Sequence, residues 1–211
     1  MGVTNFVTVQ NNFKEKPFVI NGGELKSINQ YYNKRLAKYK NVAVKTNNRY
    51  WTKNMQNLTD KRMNKIDYYL HCVSKYIVNY CIAFNVSIVV VGYNKTWKQN
   101  INLGSQNQSF VGIPYNSFIN KLHYKLEKAG IKLLLTEESY TSKASFLHED
   151  SMNIGNYSGK RVKRGLYKTN EGTLINADVN AAGNIIRKVF PNAFADGIEG
   201  VGLHPVIVNV I

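Results

Sequence analysis

The sequence of 211 residues has few acidic side chains: 13 Asp and Glu stand against 28 Lys and Arg, which leaves a formal net charge of +15. The scarcity of acids excludes an acidic tail protein. A hydrophobic content of 44% also excludes a disordered polyelectrolyte, because so many apolar side chains must be buried. The positive surplus predicts a polyanionic partner, most commonly nucleic acid; the alternative is a basic surface that serves solubility alone.

Cysteine and long apolar runs are also scarce. Cys72 and Cys81 are the only two cysteines, which excludes a disulfide scaffold and a four-thiolate zinc site. We expect both to be buried thiols in a reducing cytosol. No apolar run approaches the roughly 20 residues of a membrane span, and the start of the sequence has no basic leader region. The sequence therefore predicts a cytoplasmic protein that has no contact with a membrane.

The order of predicted elements indicates the fold class. Strands at about 3–9, 16–20 and 24–26 predict an antiparallel meander, followed by helices at 28–40 and 59–84. Strands at 87–91 and 132–135 then alternate with helices at 114–129 and 178–190, and the first of these strands reads as buried on both faces. This order predicts an α/β, ribonuclease H-like mixed sheet with helices on both faces, in a single domain over 1–211.

Nucleases of this fold hold two Mg²⁺ ions, and such an ion pair needs at least three carboxylates. Asp178 begins the last predicted helix, and Glu137 and Glu138 follow the fifth strand. The first strand has no acid, and the fourth strand also ends without one. For Asp178 the alternative is an acid at a helix start that only interacts favourably with the helix dipole.

Basic residues cluster in two places. The stretch 26–75 has 12 basic and 2 acidic residues, including Arg35 and Arg62, and the stretch 151–170 has no acid. The second stretch contains Lys160, Arg161, Lys163 and Arg164, for which we predict phosphate contacts. In a polar loop, Trp97 beside Lys98 predicts base stacking next to a phosphate; packing of Trp97 against the fold is the alternative.

Six segments carry a resemblance to a known family, and they occur in that family's order. They are GVTNF (2–6), KSINQYYNK (26–34), VGYNKTWKQ (91–99), ESYTSK (138–143), LINADVN (174–180) and FADGIEG (194–200). Over essentially its whole length the chain resembles the C-terminal half of OrfB/TnpB proteins of insertion sequences. The resemblance implies the RuvC-like domain of an RNA-guided DNA endonuclease, in which base pairing reads the sequence.

The resemblance also implies a site, but an incomplete one. Asp178 matches the family's third catalytic carboxylate, and Glu138 matches a glutamate that a subgroup has moved to the fifth strand. The first catalytic Asp would precede Met1, so we expect the domain to be truncated at its N-terminus. The family's zinc-ribbon cysteines are missing from about 139–172, where Ala144 stands in place of one, so no zinc is expected. The N-terminal half, which grips guide RNA and target, is expected on another chain.

Three functional hypotheses follow. The first is a transposon-associated protein that binds DNA, guide RNA or both. It holds Mg²⁺ only weakly at Glu138 and Asp178 and does not cut alone. The second is an active Mg²⁺-dependent DNA endonuclease completed by an upstream start or a partner chain. The third is a regulator that occupies DNA or RNA without cutting.

Overall fold

A computed structural model of the chain describes residues 2, 4–47, 50–94, 113–195 and 202–211. The helices are α1 (Gly23–Asn47), α2 (Lys53–Ala83), α3 (Tyr115–Lys128) and α4 (Ala177–Val189). The strands are β1 (Asn5–Val9), β2 (Phe18–Asn21), β3 (Ile88–Gly92), β4 (Lys132–Thr136), β5 (Gly159–Lys163), β6 (Leu166–Thr169), β7 (Leu174–Asn176) and β8 (Val206–Val208). Within the described residues, none of the helices is long and apolar enough to span a membrane.

The described strands form three sheets. β1 runs antiparallel to β2, and β2 runs parallel to β8, so the first sheet is mixed. β3 and β4 form a parallel pair in which Gly92 lies opposite Thr136. β5, β6 and β7 form an antiparallel sheet. The predicted α/β class is confirmed.

The predicted third strand of the meander, 24–26, is wrong. These residues form the first turn of α1, where Glu24 lies at the end of the helix that favours negative charge. The side chain of Asn21 stabilises the start of the helix, because its Oδ1 accepts a hydrogen bond from the Gly23 amide at 2.9 Å. The place beside β2 is taken instead by β8, from the far end of the chain.

Both N-terminal helices extend beyond their predicted bounds. α1 continues past its predicted end at 40 to Asn47, and Ala43 is buried there. α2 begins at Lys53, six residues before the predicted start, because Thr52 caps it by accepting the amide hydrogen bond of Met55. Met55 is fully buried, so packing stabilises this first turn.

A bulge in β1 decides which side chains face which helices. The pairing of β1 with β2 shifts between Asn5 and Val7, and both Phe6 and Val7 lie in the core cluster that contains α2 and α3. Asn5 and Thr8 face α4, because Asn5 bonds to Asp178 and Thr8 lines the same cavity as Asp178. Helices therefore cover both faces of the strand.

The sequence predicts that 87–91 forms a strand buried on both faces. This prediction is wrong, because the side chains of β3 are half-buried or exposed. Ile88 is 38% exposed and Val89, Val90 and Val91 are only half-buried. Among the strands that the structure describes, β3 pairs only with β4. A strand with one neighbour keeps its other edge open, and this is the physical reason for the exposure.

Candidate metal and nucleic-acid site

Asp178 lies in the first turn of α4. β7 leads directly into this helix, and Asn176 caps it: the Asn176 Oδ1 accepts hydrogen bonds from the amides of Asp178 and Val179 at 2.9 and 3.1 Å. The Oδ2 of Asp178 accepts a 2.6 Å hydrogen bond from the side-chain amide of Asn5. The cap and the β1 contact together fix the direction of this carboxylate.

Glu138 follows β4 by two residues and reaches the end of β3. A Cβ atom added at Gly92 would lie 2.5 Å from the Oε1 of Glu138 and 2.6 Å from its Cγ. The space that a side chain at position 92 would need is therefore filled by Glu138. Burial raises the pKa of the Glu138 carboxyl above its ordinary value, because the charged form loses hydration.

One polar cavity of about 530 Å³ brings these two carboxylates together with two arginines. Glu138 and Asp178 line it, and so do Arg161 and Arg164 of the β5–β6 hairpin. The remaining lining residues are Gly2, Thr4, Asn5, Thr8, Thr141, Ser142, Gly165, Ala181, Ala182 and Ile185. Segments that are far apart in sequence thus contribute opposite charges to one site.

The opposite face of α4 grips the segment that follows Glu138. The Nδ2 of Asn184 donates to the carbonyl oxygens of Thr141 and Ala144 at 2.9 and 2.8 Å. Asn180 donates to the Ala144 carbonyl at 2.8 Å and accepts from the amide of Phe146 at 2.9 Å. Asn180 and Asn184 are fully buried, so these bonds are shielded from water. Glu138 and Asp178 are therefore held by one connected unit.

The donor set fits one magnesium ion better than two. Within the residues that the structure describes, no group of three or more His, Cys, Asp or Glu side chains could hold a metal ion. Mg²⁺ is often bound by only one or two carboxylates, with waters and phosphate oxygens completing its shell. Glu138 and Asp178 would be such a pair for one bound Mg²⁺, whereas two ions would need more negative charge than these residues carry.

In the region about 139–172, where the family's zinc-ribbon cysteines are missing, hydrogen bonds hold the main chain in place. Ala144 is fully buried under α4, and Asp150 accepts bonds from the amides of Ser145 and Ser158 at 2.7 and 2.8 Å. The same region contains β5 and β6, joined by a turn in which Gly165 has a φ of 77°. Glycine suits this left-handed conformation because it has no Cβ.

The predicted phosphate-binding residues of the second basic stretch lie together on the β5–β6 hairpin. Lys160, Arg161, Lys163 and Arg164 are all exposed. Arg161 and Arg164 line the carboxylate cavity, and Arg164 donates a 3.0 Å hydrogen bond to the Oγ1 of Thr4. Lys160 and Lys163 do not line it, so only part of the cluster meets the carboxylates.

The other predicted nucleic-acid residues lie elsewhere. Arg35 is exposed on α1, where its guanidinium stacks over the ring of Tyr39 at 5.3 Å. Arg62 packs between α1 and α2: its Nε donates to the Oδ1 of Asn29 at 2.8 Å, and its guanidinium lies 4.9 Å from the centre of the Tyr32 ring. Partial burial lowers the Arg62 pKa. Neither arginine lines the cavity.

Trp97 and Lys98 lie outside the described residues.

Sequence reasoning missed four residues of the site: Asn5, Gly92, Asn180 and Asn184. Asn5 and Asn180 stand inside motifs that were noted, but nothing in those motifs indicated a hydrogen bond to Asp178 or to the segment around Ala144. The spacing of Asn180 and Asn184, four residues apart among apolar residues in the middle of the helix, was the available signal. Buried amide side chains at such a spacing usually bond to the main chain.

The fold and the site define an α/β protein with a carboxylate pair and a cationic hairpin around one cavity. The family model of the OrfB, IS605-type probable transposase matches residues 1–98. A second model, the TNB domain of Cas12f1-like proteins, matches residues 115–185. These matches confirm the resemblance to the OrfB/TnpB family that the six sequence segments indicate.

A solved structure supports the same fold. The chain resembles a protein whose structure is described as the cryo-EM structure of the Cas12f1–sgRNA–target DNA complex, with a TM-score of 0.63 and 22% identity. The likeness covers 88% of this chain and 47% of that one, so the chain spans about half the length of its structural relative. No curated protein matches the chain. At this identity the likeness shows a shared fold.

Proposed function

We propose that the chain is a transposon-associated protein that binds DNA, guide RNA or both, holds Mg²⁺ weakly, and does not cut nucleic acid on its own. One observation carries the proposal: Arg161 and Arg164 line the same cavity as Glu138 and Asp178. The arginines would bind a backbone phosphate through charge-assisted hydrogen bonds. The carboxylates would hold one Mg²⁺, whose charge neutralises phosphate oxygens.

The partners follow from the charge and from the relative. A net charge of +15 and an exposed basic hairpin favour sequence-independent contact with the nucleic-acid backbone. Cas12f1 is described in complex with sgRNA and target DNA. We therefore propose RNA and DNA as partners here.

The absence of cutting follows from the donor set. Cleavage with two metal ions neutralises both the attacking and the leaving oxygen, and the ions themselves need several carboxylates. Of the described residues that line the cavity, only Glu138 and Asp178 carry a carboxylate. Such a site binds an ion but leaves a metal pair undercoordinated.

A binding titration tests the nucleic-acid half of the proposal. Fluorescence anisotropy with a labelled single strand should show affinity that falls steeply as salt rises. Replacing both Arg161 and Arg164 with alanine should reduce the slope of log affinity against log salt by about 1.4, at roughly 0.7 for each lost phosphate contact. The matched control replaces Lys128 and Lys132, which are exposed and do not line the cavity. Equal losses in the two double variants would contradict a role for the cavity.

A cleavage assay tests the other half. The purified chain with Mg²⁺ or Mn²⁺ should leave single- and double-stranded DNA intact. Cutting that persists through purification and disappears in both Glu138→Gln and Asp178→Asn would overturn the non-cutting proposal. It would favour the second hypothesis, an active Mg²⁺-dependent endonuclease.

A further inference from the structure

The distal parts of α1 and α2 form an arm outside the main core. Among the described residues, the last α1 member of the core cluster is Ile28 and the first α2 member is Ile66. Beyond them the two helices pack against each other, and we call 29–47 and 50–65 the helical arm. At 1.5 Å per residue, the stretch 29–47 extends about 28 Å past the core.

Contacts between the two helices hold the arm together. The hydroxyls of Tyr32 and Thr59 lie 3.1 Å apart, and the Nε of Arg62 donates to the Oδ1 of Asn29 at 2.8 Å. Further out, Ala43 of α1 and Met55 of α2 are buried. The arm therefore presents a defined outer surface.

That outer surface is strongly basic. Residues 29–65 contain ten Lys and Arg and a single acid, Asp60, whose carboxylate accepts a 2.9 Å hydrogen bond from Gln56 of the same helix. A surface that serves solubility alone usually mixes both signs of charge. Eight exposed cations of the arm form no salt bridge with a described residue, namely Lys34, Arg35, Lys38, Lys40, Lys45, Lys53, Lys61 and Lys65.

Exposed aromatic rings stand at the tip of the arm, between α1 and α2. Tyr50 is 81% exposed and Trp51 is 47% exposed. The indole N–H of Trp51 donates to the Oε1 of Gln56 at 3.1 Å, which holds the ring beside the first turns of α2. Aromatic rings next to a cationic surface stack on unpaired bases, whereas the bases of a duplex are already stacked on one another.

The arm is separate from the carboxylate cavity. Phe6 of β1 lies in the core cluster that contains α2, whereas the neighbouring Asn5 bonds to Asp178 of α4. None of the cavity-lining residues in the described part of the chain belongs to α1 or α2. A ligand on the arm would therefore occupy a second site.

We propose that the helical arm is a binding site for single-stranded nucleic acid. The exposed cations contact the phosphates, and Trp51 and Tyr50 stack on an unpaired base at the tip. At 3.4 Å between successive phosphates of a stacked strand, an arm of about 28 Å matches about eight phosphates. RNA and DNA offer the same phosphates and base faces, so both belong in the test.

A salt titration tests the phosphate contacts. Binding of the full chain to a labelled oligo-dT of about 12 nucleotides, slightly longer than the arm, is followed by fluorescence anisotropy. Replacing Lys34, Arg35 and Lys38 together with glutamine keeps good helix formers in α1. This variant should reduce the slope of log affinity against log salt by about 2.1, at roughly 0.7 for each lost contact.

A matched triple variant controls for the loss of charge. Lys16, Lys128 and Lys132 are exposed and lie outside the arm, so replacing them with glutamine should leave most of the slope in place. Equal losses in the two triple variants would overturn the proposal.

The Arg161 and Arg164 double variant separates the arm from the carboxylate cavity. If that variant loses binding while the arm variant binds like the unaltered chain, the arm proposal fails and the cavity proposal stands. The reverse result would leave the arm as the binding site and remove the cavity from that role.

Tryptophan emission tests the stacking. Trp51 and Trp97 are the two tryptophans of the chain, so a Trp97→Phe background reports Trp51 alone. In that background, oligo-dT should quench the emission saturably. A strand of equal length without bases should not quench it, and should bind at least about fivefold more weakly because stacking is lost. Tyr50→Ala and Trp51→Ala should each narrow this difference; Tyr50 is the more exposed, so its variant decides if Trp51→Ala disturbs the fold.

An oligo-U strand of the same length compares RNA with DNA. Tighter binding of one strand identifies it as the preferred ligand, and equal affinity means that the arm binds both. Two results would overturn the proposal. The strand without bases could bind as tightly as oligo-dT with no change in Trp51 emission, or a duplex of the same length could bind the arm more tightly than the single strand.

Discussion

Replacing Asn5 with aspartate would test whether the cavity around Asp178 binds a divalent cation. The side-chain amide of Asn5 donates a 2.6 Å hydrogen bond to the Oδ2 of Asp178. In Asn5→Asp that donor becomes a carboxylate of nearly the same shape. Glu138 lines the same cavity, so the variant would bring three carboxylates to one place.

The effect of Asn5→Asp on the free energy of unfolding, in the absence of metal, follows from the contact between residue 5 and Asp178. Losing a hydrogen bond to a charged acceptor costs about 1.5–3 kcal/mol. Two like charges about 4 Å apart repel by about 4 kcal/mol at an effective dielectric constant of 20, and proton uptake by one carboxyl relieves part of this. We therefore expect the free energy of unfolding to fall by roughly 2–4 kcal/mol, which lowers Tm by roughly 5–15 °C for a chain of this size.

Magnesium binding should restore much of the free energy of unfolding that Asn5→Asp loses. An ion that binds only the folded chain stabilises it by RT ln(1 + [L]/Kd), so a tenfold tighter Kd adds about 1.4 kcal/mol at saturating ion. Thermal unfolding across a magnesium titration measures this directly. Asn5→Ala is the matched control, because it loses the same hydrogen bond without adding charge. An equal magnesium response in the two variants would refute the assignment of the cavity as a cation site.

Three further predictions concern the same unit. Gly92→Ala should lower the free energy of unfolding by about 1–3 kcal/mol and abolish the magnesium response, because the new Cβ would collide with Glu138. Chemical denaturation measures the change in the free energy of unfolding. The control Gly155→Ala, whose Cβ would approach no atom closer than 3.8 Å, should not differ from wild type. Because burial raises the pKa of Glu138 above its ordinary 4.5, the folded state binds the carboxyl proton more tightly than the unfolded state does. The free energy of unfolding should therefore fall as pH rises from 4.5 through the raised pKa of the folded state. Urea titrations at several pH values should show that Glu138→Gln removes this pH dependence. Asn184→Ala should lower the free energy of unfolding by about 1–3 kcal/mol, because the carbonyls of Thr141 and Ala144 each lose a hydrogen-bond donor. Thermal or chemical unfolding measures this loss. A loss near zero would mean that water replaces the amide.

Local patterns predicted much of the helical structure. The apolar stripe of the second long helix, including Ile66, Leu70, Val73 and Ile77, is buried in α2 as its spacing predicts. Asp178 lies at a helix start, as its place in the LINADVN segment predicts. These features depend on residues within a few positions of one another, and such residues carry enough information by themselves.

Pairings between distant segments could not be predicted in the same way. The stretch 24–26 follows an Asn-Gly-Gly turn signal that suits either a strand or a helix start, and the place beside β2 goes to β8, far along the chain. The exposure of β3 likewise depends on which strand lies beside it. Glu138 was identified through resemblance to a family, but its contact with Gly92 depends on the pairing of β3 with β4.

α4 sets the position of Asp178 relative to Glu138, because two of its faces contact two different parts of the site. Asp178, Ala181, Ala182 and Ile185 follow the i, i+3, i+4, i+7 pattern of one helix face and line the carboxylate cavity. Asn180, Gly183 and Asn184 lie on a second face, where a Cβ at Gly183 would come within 2.6 Å of the Phe146 ring. Inserting one residue between Asp178 and Asn180 would rotate these two faces by about 100° relative to each other. The helix could then direct Asp178 toward the cavity or bind the segment after Glu138, but not both. The part of α4 between Asp178 and Asn180 should therefore tolerate substitution far better than any change in length.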